Sequence, residues 1–222
     1  MVITWVKKNR ISFFLLVNLT LFLSCYADEI SSTIIPNLPQ ACRLDCATPY
    51  GEKLGMAIGD VVAYSNCNAQ CLVREPYYQN GTYTGIKWQC VEFARRWLLI
   101  HQGVVYGDVD IAADIWDKIT QVTRVADGKK LKMESHLNGS TQAPQRGDLL
   151  IYAQAYLNTG HVAVVTEVNL TAGVIRVAEQ NFTNQKWASN NYAREIDLVI
   201  KGSRYWLLDA YLLGWKHILS VN

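Results

Sequence analysis

The sequence predicts an α+β domain with a largely antiparallel sheet. Three observations lead there. One strong helical period runs from Cys90 to His101, a series of short β-like stretches follows it, and the 222-residue chain is 50% hydrophobic with 7 Trp and 12 Tyr. That apolar content excludes a disordered or low-complexity chain, because there is ample surface to bury in one domain.

Residues 28–50, with Pro36, Pro39 and Pro49, read as an extended lead-in. Gly59–Tyr64 alternates as a strand does, Asn66–Gln70 is a turn-rich break, and the aromatic, glycine-bearing stretch Tyr77–Gly85 reads as a loop. From Cys90 onward Val91, Ala94 and Leu98, joined by Phe93, Trp97 and Ile100, recur at helical spacing, and Gly103 is placed to end the helix. Ala112–Ile119 predicts a short second helix. Strands are expected at Val122–Ala126, Asp148–Ala153, Val162–Val168, Val174–Glu179, Ile196–Ile200 and Tyr205–Leu208.

The N-terminus reads as an export signal over residues 1–27. Lys7, Lys8 and Arg10 precede an apolar run from Ile11 to Leu23, and Ser24-Cys25-Tyr26-Ala27 offers small residues before Asp28. The apolar run is about 13 residues, short of the roughly 20 that a spanning helix needs. An uncleaved anchor is the alternative, and a lipid-modified Cys25 fits poorly behind Phe22. Without the three basic residues of this segment the formal charge falls from +2 to −1, which leaves no electrostatic footprint for nucleic acid.

Of the remaining cysteines, Cys42 and Cys46 form one C-x-x-x-C pair and Cys67 and Cys71 a second. In an exported protein such a set reads as disulfides. Residues four apart on a helix hold their Cβ atoms about 5–6 Å apart, whereas a disulfide wants about 3.8 Å. Bonds between the pairs are therefore favoured over bonds within them; a four-thiolate zinc site is the rival. Cys90 is left over.

Cys90 also opens the helix. There a sulfur faces the positive end of the macrodipole and unpaired N–H groups, a setting that suits a nucleophile and a developing oxyanion. A small buried hydrophobe is the plain alternative. A nucleophile needs a base. His101, 11 residues on along the same helix, lies about 16 Å away; His136 and His217 are not excluded by distance. His161 is better placed, because it follows the turn Asn158-Thr159-Gly160 and opens a strand. If that strand pairs with the next about Thr171, Glu179 is its diagonal neighbour at about 7–8 Å between backbones, within a side chain's reach. Glu179 would then orient the imidazole while the other ring nitrogen serves the thiol. Asn181, directly opposite, is the rival orienter, and a one-residue slip would put Gln180 there instead.

Trp88-Gln89-Cys90-Val91-Glu92-Phe93-Ala94-Arg95-Arg96-Trp97, Gly160-His161-Val162-Ala163-Val164-Val165 and Ala178-Glu179-Gln180-Asn181 resemble the signature blocks of CHAP domains, the cysteine, histidine-dependent amidohydrolases/peptidases with a papain-like core. Within that family the chain is similar to the amidase domains of glutathionylspermidine synthetase/amidase and trypanothione synthetase. The resemblance covers residues 48–218, after a lead-in over 28–47. It implies Cys90 as nucleophile, His161 as general base and Glu179 as orienting acid, with Gln89 and Asn181 in the oxyanion or substrate shell and Arg95 near a substrate carboxylate. For Arg95 and Arg96 the plain alternative is a solvated helix face. It further implies amide hydrolysis through a thioester, with no metal or organic cofactor and without the ATP-dependent ligase half. Three functions follow as expectations: an exported thiol amidase acting on glutathionylspermidine-like conjugates, a peptidoglycan peptide hydrolase, or an inactive CHAP-like binding module. Sequons at Asn80, Asn138, Asn169 and Asn181 matter only in a glycosylating host.

Overall fold

A computed structural model describes residues 38–219. The expected signal at 1–27 and residues 28–37 of the lead-in lie outside the described residues. Two antiparallel hairpins come first, β1 (Lys53–Ala57) with β2 (Val61–Tyr64) and β3 (Pro76–Gln79) with β4 (Thr82–Ile86). Helix α1 (Cys90–Gln102), β5 (Val104–Tyr106), a short helix α2 (Ile115–Lys118), β6 (Gln121–Arg124) and β7 (Lys130–Leu137) follow. Then come β8 (Leu149–Tyr152), β9 (His161–Asn169), β10 (Val174–Ala178), β11 (Arg194–Lys201), β12 (Arg204–Leu207) and β13 (Leu212–Ile218). Strands β5 to β13 form one nine-stranded sheet in the order β12-β11-β10-β9-β8-β13-β7-β6-β5, and every pairing in it is antiparallel. The α+β class holds.

Helix α1 stands where the apolar period places it. Phe93, Ala94, Trp97 and Leu98 share a core with Leu149 and Ile151 of β8 and Val162 and Val164 of β9. Gly103 closes the helix in the left-handed region at φ +66, its N–H bonded to the Leu99 carbonyl at 3.0 Å. The alternate residues of the same strands, Leu150, Tyr152, Ala163 and Val165, face a second core with Ile175, Val177, Leu207 and Trp215. The sheet curls around that core. Just past β7, Ser140 bridges Tyr205 of β12, and the Asn138 amide bonds both the N–H and the C=O of Leu207 at 2.8 and 2.9 Å. Burial on both faces is why β8 reads as an unbroken apolar run.

The cysteines pair as Cys42–Cys71 and Cys46–Cys67, with Cα separations of 4.6 and 4.2 Å. These are bonds between the two C-x-x-x-C pairs, and they consume the thiols a zinc site would need. Among the described residues Cys90 is the free cysteine, and no helix is long and apolar enough to cross a membrane.

Two expectations are corrected. Tyr77–Gly85 belongs to the β3–β4 hairpin, turned at Asn80-Gly81 with φ +49 and +78. Those positive angles are what a two-residue hairpin turn demands, and Asn-Gly supplies them at low steric cost. Strands β1, β5, β7 and β13 were not expected either. β5 is three residues long and β7 carries alternating charge, so neither presents the apolar run that marks a central strand.

Candidate active site

Cys90 begins α1, with Gln89 as its N-cap in an extended conformation at φ −83 and ψ 157. The first N–H groups of the helix have no partner within it, and Cys90 is the first residue of that turn. Gly85 of β4 lets the hairpin lie against this end of the helix: a Cβ there would come within 2.9 Å of the Glu92 Cα.

His161 opens β9 and reaches Cys90 from the sheet. Gly160 before it turns at φ +68, and a Cβ at that position would lie 2.5 Å from the Tyr152 carbonyl oxygen, so only glycine delivers the chain into β9 here. The register between β9 and β10 explains the acid. Near the turn Val174 faces Asn169; a bulge then shifts the pairing so that Ala178 faces Val164. Continued by one residue, that register sets Glu179 opposite Ala163, diagonal to His161. The imidazole Nε2 donates to Glu179 Oε2 at 2.9 Å, with both side chains almost wholly buried.

The other nitrogen, Nδ1, is left for the thiol, and Cys90 and His161 line the same cleft. Burial opposes charge on the imidazole, but the neighbouring Cys90 and Glu179 outweigh it and push the His161 pKa up from 6.5 to about 9. For Glu179 burial again opposes ionisation, while His161 and Arg194 together hold the carboxyl below its usual value. Tyr152 and Phe182 flank the ring with centroids 5.5 and 5.1 Å away.

Gln89 and Asn181 also meet. Asn181 Nδ2 donates to Gln89 Oε1 at 2.9 Å, and Gln89 Nε2 donates to Asn66 Oδ1 at 3.2 Å and to the Cys71 carbonyl at 3.4 Å. Asn184 closes the ring, donating to Asn181 Oδ1 at 3.1 Å and accepting from the Asn66 N–H at 2.8 Å. Gln89 thus spends both amide protons on the protein, whereas Asn181 keeps one. The cleft above Cys90 and His161 has a volume of about 920 Å³. Cys71 and Leu72 line one side, Asp110 and Ile111 another, with Tyr156 and Asn181 beside the histidine. The disulfide-tied segment therefore forms part of the cleft wall.

Arg95 stands apart from this group. Its buried guanidinium donates to the carbonyls of Thr84 and Gly107 at 3.0 and 2.8 Å and to Asp108 at 3.0 Å, and it lies over the Tyr106 ring. These bonds fasten β4 and the turn after β5 to the helix and keep the Arg95 guanidinium away from the cleft. Arg96 is not a solvated helix residue either. It is buried against Glu92 at 2.7 Å and donates to the Val62 carbonyl at 2.7 Å. Gln180 bonds that carboxylate at 3.1 Å, the Gln89 carbonyl at 3.2 Å and the Tyr64 N–H at 2.8 Å. One residue beyond Glu179, it points to the opposite side, as a period of two requires. This buried cluster clamps the end of β10 to the head of α1 and so sets the distance between acid and thiol.

The other histidines are elsewhere: His101 stacks on Trp97, and His217 bonds Asp148 at 2.6 Å. What the sequence reading did not find is the outer shell of Glu179. Arg194 of β11 bonds Oε1 at 2.6 Å and Oε2 at 3.4 Å, and it is itself held by Asp209 at 2.7 Å and Tyr152 at 2.9 Å.

A thiol at a helix head, an imidazole on the adjoining sheet and a carboxylate behind it, on the floor of a cleft, make up the residue set of a cysteine hydrolase. Residues 78–181, just under half of the chain, match the CHAP domain family model. It is 35% identical over 182 residues to the bifunctional glutathionylspermidine synthetase/amidase of Escherichia coli (strain K12), covering 75% of this chain and 29% of that protein. It is also 35% identical over 162 residues to trypanothione synthetase of Crithidia fasciculata, covering 72% of this chain and 24% of the relative. The glutathionylspermidine synthase of the same organism is 33% identical over 189 residues, 75% of this chain and 26% of its own length. The chain thus spans under a third of each of these curated relatives.

Proposed function

We propose that the protein is an exported thiol amidase that cleaves glutathionylspermidine-like peptide–polyamine conjugates through a thioester. The observation that carries this reading is the shared placement of Cys90 and His161 in one cleft, with the ring fixed by Glu179 at 2.9 Å. In the first half-reaction Cys90 Sγ attacks the amide carbonyl, the C–N bond breaks, and His161 gives its proton to the departing amine. In the second, His161 takes a proton from water, the hydroxide adds to the thioester, and the acid leaves as the Cys90 thiol re-forms. Main-chain N–H groups at the start of α1 and the unspent Asn181 amide proton stabilise the oxyanion; Gln89 holds Asn181 in place. None of these steps calls on a metal or an organic cofactor.

The substrate class comes from the named activity of the Escherichia coli relative. Export over residues 1–27 draws support from the two disulfides, which persist in oxidising compartments. The same disulfides favour a second reading, a peptidoglycan peptide hydrolase outside the cell. An inactive binding module remains the contrasting case. Wild type and Cys90→Ala, incubated with glutathionylspermidine and with muropeptides, separate the three when released amine is followed by mass spectrometry. Cleavage of the first by wild type alone supports the proposal, cleavage of the second alone transfers it to the cell wall, and cleavage of neither leaves the binding module.

A further inference from the structure

We propose that Arg194 is a positioning residue of this site: it keeps Glu179 ionised and aimed at His161, so that the working acid is the Glu179–Arg194 pair and not the carboxylate alone. The geometry is that of a fork. Two guanidinium nitrogens address the two oxygens of a carboxylate that is about 4% exposed, a third goes to Asp209, and the last contact is to the Tyr152 hydroxyl. Tyr152 itself donates to Asp209 at 2.7 Å, so the guanidinium is fixed from behind. Its plane also lies over Phe182, 4.3 Å from the ring centroid, and Phe182 in turn flanks His161. One side chain therefore touches the acid, the acid's outer partners and the wall of the base.

The consequence is a matter of proton direction. The charged and titratable groups that face Glu179 are His161 from β9, Arg194 from β11, Tyr152 from β8, Asp209 from the turn before β13, and more remotely Tyr156 and Cys90. Two are cations when ionised, and Arg194 is the one that stays charged at every working pH. Without it, a buried carboxylate keeps only the imidazolium for compensation and takes up a proton more readily. A protonated Glu179 donates to Nε2 rather than accepting from it. The imidazole then carries its proton on Nδ1 and can no longer receive one from Cys90. Arg194 prevents that inversion.

The inference rests on the thiol-amidase reading only for its effect on turnover, and the test is chosen to stand without it. Full-length wild type, Arg194→Met, Arg194→Lys and Asp209→Asn are treated with iodoacetamide from acid to alkaline pH, and labelling of Cys90 is timed by mass spectrometry; glutathionylspermidine hydrolysis is followed in parallel. For Arg194→Met the acid limb of labelling moves up by about one pH unit or more, which is a loss of about tenfold on the acid side with rates near pH 8 within about threefold. Arg194→Lys recovers most of the loss, because it restores the charge without the fork. Asp209→Asn leaves the guanidinium wholly to Glu179 and moves the limb the other way, which decides the matter if Arg194→Met does not fold. An unshifted limb in Arg194→Met, equal losses in the Met and Lys variants at every pH, or an upward shift in Asp209→Asn overturns the proposal. Failure of wild type to hydrolyse the conjugate overturns the amidase reading and leaves the labelling result intact.

Discussion

Replacing Glu179 by Gln tests the site at its most specific bond. The substitution keeps the shape and removes the charge that accepts the Nε2 proton at 2.9 Å. A buried hydrogen bond to a charged group contributes about 1.5–3 kcal/mol, which is about one to two pH units at 1.36 kcal/mol each. The imidazolium, whose pKa stands at about 9 in the intact site, should then lose its proton at about pH 7–8. Amide hydrolysis at pH 8 should fall by about 2- to 10-fold as the protonated fraction drops. The assay is the pH profile of kcat/KM, or of Cys90 alkylation if the substrate is another amide. A stability effect accompanies it, and its sign is fixed. The folded imidazole holds its proton more tightly than its ordinary 6.5, so its stabilisation is complete below pH 6.5 and disappears as pH climbs through about 9. In Glu179→Gln the decline starts at the same pH but ends at about pH 7–8 and is smaller, which thermal unfolding at pH 6 and pH 8.5 will register. An alkaline limb still near 9 would refute the role given to Glu179.

Other perturbations address the supports. Asn181→Ala should lower kcat by about 10²-fold with little change in KM, as loss of an oxyanion donor does; an effect confined to KM would place Asn181 in substrate binding instead. Glu92→Gln leaves Arg96 buried beside a neutral amide and should cost about 3–5 kcal/mol, read as a lowered unfolding midpoint in urea. Reducing the Cys42–Cys71 and Cys46–Cys67 bonds should cost about 2–4 kcal/mol each and, because Cys71 accepts from Gln89, weaken substrate binding before the fold is lost. A thiol titration that shows KM unchanged after reduction would detach the disulfide segment from the cleft. Gly160→Ala should abolish activity by forcing the chain off the Tyr152 carbonyl, and an active variant would show that the turn tolerates a different path.

The parts of this molecule that were legible in the sequence are those governed by local period and local charge. The α1 face shows because one side of it is apolar at every turn, and the β9–β10 ribbon because both strands are buried runs around a short turn. That ribbon register, carried by inference from Thr171, was enough to set Glu179 beside His161. The bulge between Arg176 and Val177 restores the expected pairing that the actual turn had shifted by one. The β3–β4 hairpin carries a signal of its own, Asn80-Gly81 between aromatic residues, which the glycine content of the stretch masks as a loop.

The missed residues share a different property: each is polar, and each is covered, wholly or in part, only because of what a distant segment brings to it. Arg96 and Glu92, four apart on a helix, look like an exposed ion pair until Thr84, Val62 and Gln180 arrive from three other elements. Arg194 sits on β11 next to Glu195, which is exposed and pairs with Arg176 at the surface; nothing in the local pattern says that the neighbouring arginine points inward. Burial of such groups is costly unless every partner is in place, so a polar side chain that the fold does bury has been assigned a geometric task. Here the buried Arg96 and the half-buried Arg194 have complementary tasks. Arg96, through Glu92 and Gln180, fixes where β10 meets α1, and Arg194 fixes which way the carboxylate at the end of β10 faces. The first sets the span from thiol to acid and the second sets the direction of the proton between them, so a variant at one should not be rescued by restoring the other.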